Sequence, residues 1–138
     1  MTRKLLFQGG CHCELVKFEF RSLKKVEVWT CNCSICSLNN YQHLFVRHSD
    51  FNLISGKEYL TSYQFATHTA EHLFCRRCGV KSFYQPRSHP DSFSIDIRCV
   101  KKPPKIVRVV EFDGKNHQGA IERNSSSNSF ELLLALLM

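Results

Sequence analysis

The chain has 138 residues and a mass of 16.0 kDa, enough for one domain with a core of ordinary size and too little for two. Hydrophobic residues make up 43% and charged residues 22%, with eleven Phe, which excludes disordered and fibrous classes. The formal charge of +7 raises nucleic acid or a membrane surface, but the charge is spread evenly: seven basic against four acidic residues in 1–50, six against four in 51–100, and six against four in 101–138, so no basic arm is present to grip phosphates.

Residues 1–10 have a basic start but no apolar run of useful length, so no secretory leader is expected. The chain then belongs in a reducing compartment, cytoplasmic or nuclear, where disulfides are rare. Residues 15–20 alternate, with Val16, Phe18 and Phe20 on one face and Lys17 and Glu19 on the other. Val26, Val28 and Thr30 repeat that period and run into Cys31. Residues 34–40 offer a single helical turn. Residues 60–65 set Thr61, Tyr63 and Phe65 on one side, and 94–98 and 106–112 alternate again. Turn signals separate the runs: Gly9-Gly10, Ser55-Gly56, Pro86, Pro90, Pro103-Pro104 and Asp113-Gly114. This pattern predicts an all-β fold, mainly antiparallel, with one covered face. Residues 115–129 then turn polar and 130–138 (FELLLALLM) strongly apolar. That last stretch is shorter than the roughly 20 residues a bilayer span needs. It reads as a short C-terminal helix or an unpacked tail beyond a domain over 9–114.

Eight cysteines decide the chemistry. Seven fall in three clusters: Cys11-His12-Cys13, Cys31-Asn32-Cys33-Ser34-Ile35-Cys36 and Cys75-Arg76-Arg77-Cys78-Gly79. Zinc takes four tetrahedral ligands, and two cysteines one to four residues apart can both face one ion from a tight turn. Gly79 stands where such a turn calls for positive φ, and Gly9-Gly10 permit a tight approach to Cys11. The two pairs make one closed structural site, Cys11, Cys13, Cys75 and Cys78. Cys31, Cys33 and Cys36 leave three thiolates and an open fourth position, the form of a catalytic zinc. That cluster could instead close on Cys99, His43, His48, His72 or His89. A reversible Cys75–Cys78 or Cys33–Cys36 disulfide is the redox alternative. Cys99 reads as a small buried residue of the strand at 94–100, and His12 as pointing outward. Seven thiolates on two Zn²⁺ bring the formal +7 to about +4.

These runs, together with Phe74–Val80, Ser82-Phe83-Tyr84-Gln85-Pro86-Arg87-Ser88 and Phe51-Asn52-Leu53-Ile54-Ser55-Gly56, resemble the glutathione-dependent formaldehyde-activating (GFA) enzyme family, most closely its animal branch, centromere protein V. The resemblance covers roughly residues 9–114. It implies a β-tent-like zinc fold of antiparallel sheets around two zinc ions. It assigns Cys11, Cys13, Cys75 and Cys78 to the structural ion and Cys31, Cys33 and Cys36 to the ion near the glutathione site. Residues 115–138 depart from the family's usual C-terminal region.

The family's chemistry implies a carbon–sulfur lyase, in which glutathione or a related thiol adds to formaldehyde to give S-hydroxymethylglutathione. No general acid or base stands beside the triple cluster in sequence. A zinc with three thiolates carries −1, so cations are expected nearby. Arg76, Arg77, Lys81 and Arg87 are candidates, with Phe83 and Tyr84 as pocket walls. The alternative is a non-catalytic zinc scaffold that binds chromatin or cytoskeletal partners.

Overall fold

The computed structural model describes residues 3–114; the helix expected over 130–138 lies outside them. In chain order the elements are β1 (Leu5–Gly10), β2 (Lys17–Ser22), β3 (Lys25–Cys31), α1 (Ser34–Asn39), β4 (Gln42–Arg47), β5 (Phe51–Ser55), β6 (Leu60–Tyr63), β7 (His72–Cys75), β8 (Phe83–Tyr84), β9 (Ser92–Asp96), β10 (Val100–Lys101) and β11 (Lys105–Phe112). They form a four-stranded sheet in the order β10-β1-β2-β5, a five-stranded sheet in the order β11-β3-β4-β9-β8, and the ribbon β6-β7. The fold is mostly β and mainly antiparallel, as the alternation predicts. One pairing differs: β11 runs parallel to β3, placing Phe112 beside Cys31 and Val110 beside Trp29. Among the described residues no helix is long and apolar enough to cross a membrane.

The core lies where the two larger sheets face each other. Period-two alternation on β2 buries Phe18 and Phe20, and β3 adds Val26 and Val28. From β4 come Leu44 and Val46, from β9 Ile95 and from β8 Phe83. Phe18 is at the centre, its ring 5.3 Å from Phe51 and 5.5 Å from Phe83, the latter edge-on.

The same alternation gives the five-stranded sheet a second face. Residues directly opposite across a ladder share a side. Trp29 opposes His43, Phe45 opposes Ser94, and Tyr84 opposes Ser94 from the other flank. Trp29 and Cys31 lie two apart on β3, so the outer face carries Trp29, Cys31, His43, Phe45, Ser94, Tyr84 and Phe112. The site is built on this face.

Two sequence expectations are corrected here. The strand expected to run through Arg98 stops at Asp96, whose carboxylate accepts from the Arg98 backbone N–H (3.1 Å) and from the Arg98 guanidinium, turning the chain into a short 3-10 turn at Ile97–Cys99. Cys99 therefore sits in that turn, half-buried, rather than buried in a strand. Strand β6 ends at Tyr63, and its expected covered side is open, with Tyr63 and Phe65 exposed.

Candidate metal centres and the adjoining cleft

The first cluster is assembled from two turns. Cys11 and Cys13 follow the end of β1, and Cys75 closes β7 before the turn carrying Cys78. Gly79 has φ 75° and donates its N–H to the Cys75 carbonyl at 2.7 Å, folding the turn back so that both sulfurs face inward. The four sulfurs lie within 4.8 Å of one another. Cys11–Cys13 and Cys13–Cys75 are each 3.6 Å apart, close to the roughly 3.8 Å edge of a tetrahedron with 2.3 Å metal–sulfur bonds. Val16 donates its backbone N–H to the Cys11 sulfur at 3.4 Å, and His12 points to solvent. This cluster can hold a metal ion in a shell with no vacancy.

The second cluster is built by a strand end and a helix start. Cys31 terminates β3, Cys33 caps α1, and Cys36 is buried one turn in. Their sulfurs also lie within 4.8 Å of one another. The end of β11 closes over them. Phe112 accepts from the Asn32 backbone N–H at 3.3 Å, and Asp113 accepts from the Asn32 amide at 3.1 Å. Gly114 then packs so tightly on the Cys31 sulfur and Cys33 that no side chain fits. Hydrogen bonds from Cys31 and Cys36 hold the Cys33 thiol far below the usual thiol range. The Cys31 thiol is pushed up to about 11 by its hydrogen bond with Cys33, and the Cys36 thiol is pushed up by Cys31 and then Cys33. Three sulfurs this close, one of them strongly acidified, suit a cation there.

Among the described residues no fourth Cys, His, Asp or Glu joins this set. Cys99 lies beside Gly9 in a different depression, its thiol pushed up to about 12 by burial. His48 is exposed and bonds Gln85 at 2.7 Å. The His89 ring stacks on Phe45, centroids 3.7 Å apart. His43 and His72 border the space in front of the cluster without entering it. All eight cysteines are free thiols, including the pairs weighed as redox disulfides.

That space is a cleft of about 370 Å³ into which the Cys31, Cys33 and Cys36 side chains open. Its floor is the outer face of the five-stranded sheet: Trp29, His43, Phe45, Tyr84 and Phe112. Trp29 is clamped there, stacked on Phe112 at 5.1 Å and edge-on to Phe45 at 5.2 Å. One rim comes from the β6–β7 ribbon, where Phe65 stacks on His72 and His72 on Tyr84. The other is the β8–β9 loop, with Pro86, Arg87 and Ser88. Burial lowers the His43 ring to about 3 and the His72 ring to about 4, the Lys81 charge adding to both, so both are neutral near pH 7. Two buried side-chain polar atoms of the described residues have no hydrogen-bond partner, His43 Nε2 and Arg87 Nε, and both residues line this cleft.

The six residues expected to bind substrate separate in space. Tyr84 and Arg87 line the cleft. Lys81 is buried just behind it, its Nζ 2.6 Å from His72 Nδ1 and 3.8 Å above the Tyr84 ring. Phe83, one residue from Tyr84 and so on the opposite face, is in the core. Arg76 and Arg77 are exposed in the turn of the first cluster, Arg76 lying 5.1 Å over the Tyr59 ring. Trp29, Phe45 and Phe112 are walls that sequence reasoning missed. Trp29 was within reach, because period-two spacing from Cys31 puts it on the same face.

Comparison with known proteins agrees with this arrangement. The family model described as glutathione-dependent formaldehyde-activating enzyme matches residues 6–112. A Halomonas elongata protein named as a putative glutathione-dependent formaldehyde-activating enzyme is 28% identical over 120 residues, covering 78% of this chain and 76% of its own. A crystal structure of a Rhodobacter sphaeroides protein from structural genomics is 35% identical with a TM-score of 0.64, covering 69% of this chain and 88% of that one. With a family match over most of its length, this chain belongs to the glutathione-dependent formaldehyde-activating enzyme family.

Proposed function

We propose that the protein holds zinc at both cysteine clusters and acts at the second as a carbon–sulfur lyase on the adduct of glutathione and formaldehyde. The observation that carries this reading is a three-thiolate set, without a fourth protein donor among the described residues, opening into a walled cleft. Zinc bound there would supply a Lewis acid that favours the thiolate form of an incoming thiol near neutral pH. Arg87 offers its guanidinium, with an unpaired Nε, to a carboxylate of glutathione. Trp29, Phe45 and Phe112 give the cleft beside the sulfurs apolar walls. In the forward direction the thiolate sulfur bonds to the formaldehyde carbon, the C=O π pair moves to oxygen, and that oxygen takes up the proton the thiol released. The reverse direction breaks the C–S bond and returns both reactants. Free thiolate clusters of this kind persist in a reducing compartment, and the cytoplasm is the location that fits.

The test is zinc content per chain, with and without glutathione, alongside the exchange rate between ¹³C-formaldehyde and its glutathione adduct measured by NMR. The expected result is two zinc ions, only one of which changes its chelator accessibility with glutathione, and exchange faster than in buffer. Cys33→Ser should start at one zinc and lose the acceleration. Two zinc ions indifferent to glutathione, with exchange at the buffer rate, would replace the lyase by a zinc scaffold for chromatin or cytoskeletal partners.

A further inference from the structure

We infer that His43 is the residue that receives the aldehyde oxygen, as a neutral imidazole donating its Nε2–H; the inference rests on the lyase reading of the cleft. The ring is held from one edge only. Its Nδ1 lies 2.7 Å from Ser94 Oγ and 3.3 Å from Tyr84 OH. Ser94 and Tyr84 show no other side-chain hydrogen bond, so an accepting Nδ1 is the arrangement that pairs a hydroxyl proton otherwise left without an acceptor, and it puts the ring's own proton on Nε2. That Nε2 is buried, lacks a partner and belongs to a residue bordering the cleft. A buried polar atom without a partner is rare in a folded protein, and this one belongs to a residue that lines the cleft, where a ligand oxygen seated against the ring would satisfy it. Because Nε2 carries the proton it is not a metal-ligating atom in this tautomer, which agrees with its place outside the three-sulfur set.

The ring is also hard to move. Tyr41 packs 4.6 Å from it on one side, Phe45 stacks at 5.8 Å, and Tyr41 OH donates to the Ser94 carbonyl at 2.8 Å. A preorganised donor of this kind acts on charge that develops during the reaction. As the C–S bond forms, the oxygen of formaldehyde becomes an alkoxide and is stabilised by the Nε2–H. The proton that completes the hydroxyl is the one released by the thiol, so His43 stays neutral throughout. In the cleavage direction the same donor steadies the alkoxide before the C–S bond breaks. His43 thus recognises the oxygen of a thiohemiacetal, which a simple thioether lacks.

The test combines a variant with a measurement on the unmodified protein. His43→Phe keeps a ring and removes the donor. It is expected to lower the exchange rate about 100-fold, the usual effect of losing one such donor, with zinc content and glutathione affinity unchanged. His43→Gln, which restores an N–H, should recover part of that loss. In ¹⁵N-histidine-labelled wild type, the His43 signals should show the Nε2–H tautomer. They should shift when glutathione and formaldehyde are added together, and not with glutathione or S-methylglutathione alone. Wild-type exchange in His43→Phe, or His43 signals that ignore formaldehyde, would overturn the inference and leave the lyase reading standing. A wild-type protein that neither responds to glutathione nor speeds exchange would overturn both.

Discussion

Gly114→Ala is a single-methyl probe of the open cluster. A Cβ at Gly114 would overlap the Cys31 sulfur and lie 2.8 Å from the Cys33 Cβ and 3.2 Å from its backbone nitrogen. Carbon atoms rest about 3.5–4.0 Å apart, so the Cys33 contact alone demands a shift of about 0.7 Å or more. Metal sites tolerate about 0.2 Å in ligand distance. Gly114 is not in the left-handed region, so alanine brings no left-handed backbone strain, and the nearest atoms it meets belong to the two cysteines. Perturbing the immediate support of a metal typically weakens binding about 10- to 100-fold, or about 1.4–2.7 kcal/mol. Chelator competition on the two-zinc protein should therefore show one zinc leaving 10- to 100-fold more readily in Gly114→Ala, with the zinc at Cys11, Cys13, Cys75 and Cys78 unchanged. Equal midpoints in variant and wild type would refute the claim that residues 112–114 form the wall of the site.

Gly79→Ala is the converse case: φ is 75° and no atom lies within 4 Å of the added methyl, so only backbone strain of about 1–2 kcal/mol is expected, read by urea unfolding with zinc stoichiometry intact. Arg87→Gln should raise the KM for glutathione about 10-fold with zinc content and fold unchanged, and an unaltered KM would place the carboxylate contact elsewhere. Lys81 gives a pH signature. Burial lowers its ammonium from 10.5 to about 8, so between those values the unfolded chain holds a proton that the folded chain has shed. Wild-type stability relative to Lys81→Met should then rise as pH climbs from about 8 to about 10.5. Parallel pH profiles of urea unfolding for the two proteins would show that Lys81 is solvated.

The pairing of the cysteines was legible because ligand spacing is local: each knuckle is a turn, and only two knuckles were needed to complete a four-sulfur set. The strands at Val16–Phe20 and Val26–Thr30 were legible because one face meets the core and the other meets water. Strand β4 was not, since His43, Leu44 and Val46 are all buried and the sheet is covered on both sides there, which erases the alternation. The partner of β11 was equally hidden. A period-two pattern states that a strand has two faces but not which neighbour it takes or in which direction, so the approach of Phe112 and Gly114 to the second cluster appears only in three dimensions. The adjacent residues Phe83 and Tyr84 show the limit from the other side: a β-strand sends neighbours to opposite faces, one into the core and one into the cleft.

Charge also bears on what the three-sulfur cluster can accept. Three thiolates and a divalent ion sum to −1, and an incoming thiolate would make −2. Among the described residues no Asp or Glu lines the cleft. Burial lowers the proton affinity of Arg87 and Lys81, and the cluster sulfurs oppose it, Cys33 and Cys31 for Arg87 and Cys36 foremost for Lys81. Lys81 sits behind the cleft, above the Tyr84 ring, and its ammonium donates to His72 Nδ1, which leaves the proton of that ring on Nε2 at the rim. In the proposed lyase reading, an anionic thiol bearing carboxylates would meet the Arg87 guanidinium, with the buried Lys81 ammonium behind the wall. A cationic aldehyde or amine would meet the same groups with the wrong sign, so on that reading the cleft would select by charge before any contact with the sulfurs is made.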